Sequence, residues 1–211
     1  MLAELLASLH DVHGRVAIPG FYADVVDASA AERKQLGTLP FDEAQFLADV
    51  GSPGICGEEG FSTNERRWLR PTLDVNGIYG GFMLEGANTI IPARVGAKVS
   101  MRLVPNQSGA KLNGIFDRTI RERCPSTVRL EMLNHGSADA YMAPLDSRPM
   151  HAARRALHEV FGREPAFIRE GGSLPILPMF KRVLGADSLM LGFEEVVQNL
   201  ELAKVAGLKA N

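Results

Sequence analysis

Apolar side chains recur with two different spacings along this chain, one typical of helices and one typical of strands. The helical spacing comes first. Apolar residues recur every three or four positions at its start: Leu2, Leu5, Leu6, Leu9 and Val12. Such spacing places side chains on one face of a helix, and a glycine such as Gly14 commonly ends one. We therefore predict an amphipathic helix over residues 2–12.

A long excursion follows at residues 14–70, in which glycine and proline repeatedly interrupt the pattern. Two helical stretches fit inside it, at residues 30–36 and 41–50, and the remainder is predicted to be irregular. Excursions of this length are usually functional or built around a partner.

A two-residue period begins after the excursion and predicts strands. Residues 75–84 form the first, which several glycines are expected to bend. Residues 97–104 and 128–133 alternate apolar with polar positions, as half-buried antiparallel strands do. A helical pattern lies between these two at residues 108–123, and Pro125 ends it.

The order of these elements predicts the fold of the first 140 residues. Helix, excursion, strand, strand, helix and strand follow one another, and one more strand before Met1 would complete a split βαβ arrangement. We predict an α+β fold for residues 1–140: a ferredoxin-like antiparallel sheet with helices on one face, lacking its first strand and interrupted by the excursion.

Residues 141–211 are predicted to form a second unit. A proline-containing linker leads into a helix over residues 147–161, with Ser147 as its cap and Gly162 as its end. The pattern then predicts a strand at 166–168, a helix at 174–184, a strand at 188–191 and an amphipathic tail at 194–211.

Composition narrows the classes of function. Hydrophobic residues make up 45% of the 211 residues, charged residues make up 23%, and the formal net charge is -2. No basic excess favours nucleic acid, so we expect a small, weakly charged or zwitterionic ligand or a protein partner. No apolar run approaches the ~20 residues that span a bilayer, and no membrane interaction is expected.

The two cysteines and the first residues of the chain indicate a compartment. Cys56 and Cys124 are far apart and have no metal-type spacing, which favours reduced thiols over a disulfide. The residues after Met1 include an acid and a histidine and have no basic segment of signal-peptide type. We predict a cytoplasmic protein.

Two segments have residues suited to binding an anion. Arg102 lies on the polar face of a predicted strand, where its guanidinium fits either a substrate carboxylate or a cross-strand acid. The loop 169–173 contains two glycines and Ser173 before an apolar helix. Free N–H groups there suit an anion, and an ordinary helix cap is the alternative.

Three histidines are candidates for chemistry. His10 and His13 are three positions apart and would share a helical face, but zinc usually needs three or four ligands and no third is evident. A solvated helix end therefore fits them better than a metal site. His135 follows a predicted strand and precedes Gly136, where a surface-loop histidine is the alternative to a ligand contact.

Four stretches together resemble a known family: SLHDVHGRVAIPGFY (8–22), RPTLDVNGIYGGF (70–82), NTIIPARVGAKVSMRLVPNQ (88–107) and FGREPAFIREGGSLPILPMF (161–180). They are similar to the M20 metallopeptidases, in particular the dipeptidase branch with the carnosinase-like enzymes. The resemblance implies a catalytic α/β domain with two zinc ions and an inserted ferredoxin-like lid that pairs two subunits. It makes residues 1–140 an incomplete lid and residues 141–211 a remnant of the catalytic domain.

The resemblance also implies roles for four residues. Thr89 corresponds to a threonine that reaches across the dimer to the other subunit's site. Arg102 corresponds to the arginine that binds the substrate's C-terminal carboxylate. His135 corresponds, with imperfect surroundings, to a histidine that supports the substrate carbonyl or its oxyanion. Ser173 corresponds to a serine that helps to hold the substrate.

The family's zinc ligands have no match in this sequence. Its H-x-D pair, bridging aspartate, acidic pair and lid histidine all precede the matched stretches, and residues 194–197 stand where its last histidine ligand would follow. No metal or catalytic residue is therefore expected here, because such hydrolysis depends on a metal-bound water.

Three functions follow from this reading. The first is a fragment of a zinc-dependent dipeptidase, inactive alone, that forms a homodimer through its lid. The second is a non-catalytic module that self-associates or pairs with an intact subunit. The third, the least favoured, is a hydrolase with an unrelated site at His10 and His13.

Overall fold

The computed structural model describes residues 1–169 and 174–192. The helices of these ranges are α1 (Leu2–Ala7), α2 (Ala30–Gly37), α3 (Glu43–Val50), α4 (Thr63–Leu69), α5 (Gly109–Arg123), α6 (Arg148–Phe161) and α7 (Ile176–Leu184). Their strands are β1 (Thr72–Gly80) and β2 (Val95–Arg102). None of these helices is both long enough and apolar enough to cross a membrane.

The two strands form an antiparallel hairpin. Their ladder runs from the pair Thr72 and Arg102 to the pair Gly80 and Val95, with an irregularity after Val75. Strands and helices therefore occur together, and the predicted α+β class is confirmed.

The main core lies between this hairpin, α1 and α5. Leu9, Phe21 and Leu73 are its most deeply buried large side chains. Leu112 and Ile120 of α5 pack into the same cluster, and so does the inner row of β2, which comprises Val99, Met101 and, just beyond the strand, Leu103. This row was predicted from the alternation at 97–104, and the prediction is confirmed.

The excursion contains more regular structure than predicted. Besides α2 and α3, which were predicted, it contains α4, which was not. A capping box begins α4: the Ser62 hydroxyl accepts the Glu65 N–H while the Glu65 carboxylate accepts the Ser62 N–H. Leu36, Trp68 and Leu69 then form a second, smaller core.

The first helix is shorter than predicted because the chain folds back on itself. It ends at Ala7, Ala17 donates its N–H to the Leu9 carbonyl, and His10 forms a β-bridge with Val16. His10 and His13 therefore lie outside the helix, and the prediction that they share a helical face is wrong.

Three predicted strands do not form. Residues 128–133, 166–168 and 188–191 contain no strand, although their side-chain pattern suggested one. Of the three apolar residues that the alternation predicts to face inward, Leu130 and Met132 pack on the main core, whereas Val128 is exposed. Alternation predicts which side chains are buried, whereas a strand also needs a neighbour to which its backbone can bond.

Helix boundaries with a clear capping residue were predicted more accurately. The Ser147 hydroxyl accepts the Met150 N–H at the start of α6, and Gly162 ends that helix in the left-handed conformation. Both roles were predicted. Helix α7 begins at Ile176, two residues later than predicted.

Candidate functional site

Arg102 is the last residue of β2, and its side chain is exposed. Within the described ranges its guanidinium has no hydrogen-bond or ion-pair partner. The acid on the neighbouring strand, Asp74, instead accepts the Thr72 hydroxyl at 2.7 Å. The cross-strand ion pair therefore does not form, and Arg102 is a free cation at the end of a strand that packs on the core.

A buried glutamine fixes the turn that follows Arg102. The Gln107 side chain is 3% exposed; its Oε1 accepts the Val104 N–H at 3.0 Å and its Nε2 donates to the Phe21 carbonyl at 2.8 Å. Lys111 adds an ion pair with Asp24 at 2.6 Å. The start of α5 is thus attached to the excursion on one side and to β2 on the other.

His135 is exposed and lies in a segment that packs against the start of α5. The neighbouring Asn134 Oδ1 accepts the Gly136 N–H at 2.8 Å and a side-chain N–H of Asn113 at 3.4 Å. Asp139 accepts the Gly109 N–H at 2.9 Å and so supplies the cap that the Ser108 side chain does not.

The close approach of this segment depends on a glycine. A Cβ added at Gly109 would lie 2.8 Å from the Ser137 Cβ and 2.9 Å from the Ala138 carbonyl oxygen. No ordinary side chain fits there without moving the backbone. The first turn of α5 therefore sets the position of the segment that carries His135.

The predicted site residues thus fall into three groups. Arg102 and His135 both belong to segments that adjoin the N-terminal end of α5. Thr89 lies in the exposed connection 81–94. This connection joins β1 to β2 at the end of the ladder that is opposite to Arg102. Ser173 lies outside the described residues.

Comparison with known proteins identifies the family. The family described as "Peptidase dimerisation domain", of the M20 peptidases, matches residues 1–128. The chain belongs to this M20 family. It is 30% identical over 195 residues to the Cys-Gly metallodipeptidase DUG1 of Candida albicans, a match that covers 90% of this chain and 40% of that protein.

Two further proteins show the same likeness. The human Beta-Ala-His dipeptidase is 31% identical over 191 residues, covering 87% of this chain and 37% of that protein. The solved M20 metallo-carboxypeptidase Sso-CP2 of Sulfolobus solfataricus aligns with a TM-score of 0.76 at 29% identity, covering 87% of this chain and 47% of that one. The chain thus spans about two fifths of the length of these curated relatives.

The described part of this M20 chain contains no cluster of potential metal ligands. Across residues 1–169 and 174–192, no three or more His, Cys, Asp or Glu side chains lie close enough to hold a metal ion. His13 binds the Glu59 carboxylate through Nδ1 at 2.8 Å, far along the chain from His135. None of the described residues is therefore assigned to the two zinc ions that the resemblance implies.

Sequence reasoning missed a buried ion pair in this M20 chain. It lies between Glu58 of the excursion and Arg70, which closely precedes β1. Arg70 binds both oxygens of Glu58 at 2.8 Å, and each side chain is 6% exposed. The Arg70 guanidinium also lies over the rings of Tyr22 and Phe61, 5.0 and 4.4 Å from their centres. Burial is the largest single influence and opposes its charge, but the hydrogen bonds that Arg70 donates to Glu58 and the attraction of nearby negative charge together raise the pKa of Arg70.

A second arginine extends this cluster. Arg15 lies 4.7 Å from the centre of the Tyr22 ring and 3.5 Å from Glu58. The Tyr22 hydroxyl accepts the Val16 N–H at 3.0 Å, and burial raises its pKa. The sequence signal, isolated charges among aromatic residues, was too diffuse to predict a cluster whose members are up to 55 positions apart.

Proposed function

We propose that this chain is the lid and pairing part of an M20 dipeptidase, and that Arg102 binds the terminal carboxylate of a peptide substrate. The observation that carries the proposal is the guanidinium of Arg102, which has no partner among residues 1–169 and 174–192 and lies at the end of a strand in the matched domain. A planar guanidinium on a rigid element suits bidentate binding of a carboxylate.

The other predicted contacts complete the proposal. His135 supports the carbonyl oxygen of the bound peptide, and Ser173 helps to hold the substrate. Thr89 serves the site of a second subunit, which fits its place at the far end of the hairpin from Arg102. Hydrolysis belongs to the full-length protein, in which zinc would activate the water.

Pairing is proposed to occur between two copies of this chain through residues 1–140. The family match supports this assignment, as do the apolar side chains exposed in the connection 81–94, with Met83 at 72% and Ile91 at 96% exposure. Exposed apolar patches commonly mark protein–protein contacts. We place the protein in the cytoplasm, which the two free cysteines support.

A titration with a dipeptide tests the role of Arg102. β-Alanyl-histidine is the probe, and the NMR signal of the Arg102 Nε–H is the readout. We expect that signal to shift on binding, and we expect Arg102→Ala to weaken binding at least ~10-fold, about 1.4 kcal/mol. Arg129→Ala is the matched control, since Arg129 is also exposed.

The amide of the same dipeptide distinguishes carboxylate binding from general attraction. β-Alanyl-histidinamide lacks the terminal carboxylate and should leave the Arg102 signal in place. Equal shifts with both peptides, or equal loss of binding in the two arginine variants, would remove the proposed role. Pairing is tested separately by sedimentation equilibrium, in which a mass of 22.9 kDa at all concentrations would contradict the homodimer.

A further inference from the structure

The backbone turns sharply two residues after Arg102. The Gln107 N–H donates to the Val104 carbonyl at 3.2 Å and closes a β-turn. Inside this turn Pro105 is followed by Asn106, whose φ of 72° lies in the left-handed region. Proline followed by a residue of positive φ is typical of a type II turn, and asparagine tolerates that conformation better than most residues with a side chain. The local sequence therefore favours this turn.

The Gln107 side chain attaches the turn to the core. Its Oε1 accepts the Val104 N–H at 3.0 Å, and its Nε2 donates to the Phe21 carbonyl at 2.8 Å. A backbone N–H can only donate and a carbonyl can only accept, so an amide side chain, which carries one group of each kind, matches both partners. Phe21 is 1% exposed and belongs to the main core. The turn is thus held from inside the molecule.

Arg102 depends on this turn for its direction. Within residues 1–169 and 174–192 its guanidinium has no partner, so the side chain follows the backbone from which it projects. That backbone is fixed on one side by the ladder with Thr72 and on the other by the bond of the Val104 N–H. Bidentate binding of a carboxylate needs two guanidinium N–H groups in line with two oxygens, so a small change in backbone direction weakens it.

We propose that Gln107 is the positioning residue of Arg102. Its two side-chain hydrogen bonds keep the end of β2 in the direction from which the guanidinium meets a terminal carboxylate in bidentate geometry. Gln107 thereby sets the preference of the site for a peptide with a free carboxyl end over the corresponding amide. It acts through Arg102 and not on the peptide, because it is 3% exposed. This role rests on the proposed binding of a carboxylate by Arg102.

The substitution Gln107→Met tests this role, because it keeps the length of the side chain and removes both hydrogen bonds. Calorimetry gives the dissociation constants of β-alanyl-histidine and β-alanyl-histidinamide, and the ratio of the amide's constant to the dipeptide's measures the preference for the carboxylate. We expect Gln107→Met to lower that ratio at least ~5-fold, while binding of the amide changes less than ~2-fold. Gln45→Met is the matched control, since the Gln45 side chain binds Asp49 within α3, and it should leave the ratio unchanged.

Two substitutions at Asn106 test the same turn from its solvent side, which covers the case in which Gln107→Met does not fold. Asn106 is exposed, so a change there does not open the core. Asn106→Val places a β-branched side chain at a positive φ and should lower the ratio, whereas Asn106→Gly permits that conformation and should preserve it. Faster amide exchange at Val104, with unchanged exchange at Ile120 in the core, would show that only the turn has loosened.

The outcomes separate this role from the proposed function of Arg102. A preference for the dipeptide that is lost in Arg102→Ala and reduced in Gln107→Met supports both. A ratio that stays at the wild-type value in Gln107→Met and in Asn106→Val, including the case in which both constants rise by the same factor, makes Gln107 a structural residue only and overturns its positioning role. Equal binding of the dipeptide and its amide by the wild type would instead remove the carboxylate role of Arg102, and the role of Gln107 with it.

Discussion

Glu58 is a buried carboxylate whose charge is balanced by two hydrogen bonds from Arg70. The substitution Glu58→Gln keeps the size of the side chain but removes the buried counterion of Arg70, which then retains only the exposed Asp27 carboxylate, at 3.2 Å. Removing one partner of a buried pair is strongly destabilising. We therefore expect the free energy of unfolding to fall by about 3 kcal/mol, measured by urea denaturation.

Asp117→Asn is the control for that substitution. Asp117 pairs with Arg121 one helical turn away on the exposed surface of α5, at 2.8 Å. Solvent screens such a pair, so little change in stability is expected. Equal effects of the two substitutions would show that the Glu58 pair contributes no more than a surface contact.

The ion pair of His13 with Glu59 predicts a pH dependence. The hydrogen bond that the His13 ring donates to the Glu59 carboxylate raises the pKa of His13 above the ordinary value of 6.5, which the unfolded chain retains. The stability that this pair contributes is therefore fully present below pH 6.5 and is lost as pH rises through the folded pKa. The urea midpoint of the wild type, relative to Glu59→Gln, should therefore fall as the pH rises above 6.5.

A proton NMR titration of the His13 ring in both proteins completes this test. Asp11 also lies near His13. Its carboxylate accepts the backbone N–H groups of Arg15 and His13, which lowers the pKa of Asp11, so it stays ionised across this pH range. A His13 pKa that is the same in the wild type and in Glu59→Gln would contradict the assigned cause.

Helix α5 offers two glycines with opposite expected effects. Gly109 faces the segment that carries His135, and a Cβ there would meet backbone at 2.9 Å. Gly109→Ala should therefore lower the free energy of unfolding by about 1–3 kcal/mol, because the segment and its Asp139 cap must move. Exchange of the Gly136 amide, measured by NMR, should become faster.

Gly114→Ala is the matched substitution in the same helix. Nothing lies within 4 Å of a Cβ added there, so alanine should raise the free energy of unfolding by about 0.5–1 kcal/mol through its helix propensity. If Gly109→Ala and Gly114→Ala lowered the free energy of unfolding equally, the close contact of Gly109 with residues 137–138 would not explain its effect.

Elements bounded by local chemistry were predicted well from the sequence. Ser147 and Gly162 delimit α6 because capping acts over a few residues. The capping box of Ser62 and Glu65 was an equally local signal for α4, and reading it would have identified that helix. The segment 128–133 was wrongly predicted as a strand because strand formation depends on backbone from elsewhere.

In the candidate site, too, features set by neighbouring residues were predicted and features set by distant residues were not. Arg102 was predicted on the exposed side of a strand because alternation alone determines that side. The supports of the site, Gln107 and Asp139, were not predicted, because each acts on residues 30 or more positions away. The Glu58–Arg70 pair is only 12 positions apart, but it was also missed, because no local pattern links these charges and only the fold brings them together.

At the scale of the whole molecule, two cores are connected by polar contacts. The main core holds the hairpin, α1 and α5, and the smaller core holds α2 and α4. Arg70 links them: it follows α4, precedes β1, and binds Glu58 of the excursion. The hairpin connection 81–94 lies outside both cores and is exposed throughout, which leaves it available for contact with another molecule.

Pairing through that connection predicts the effect of a charge placed in it. Ile91 is 96% exposed in the single chain, and burial against a second copy would make its replacement by a charged residue costly. We expect Ile91→Asp to raise the dimer dissociation constant ~10- to 100-fold, about 1.4–2.8 kcal/mol, by sedimentation equilibrium. Val12→Asp is the matched control, since Val12 is 91% exposed in the turn after α1. Dissociation constants raised equally by both substitutions would indicate general charge repulsion, and pairing would then have to use a surface other than the hairpin connection.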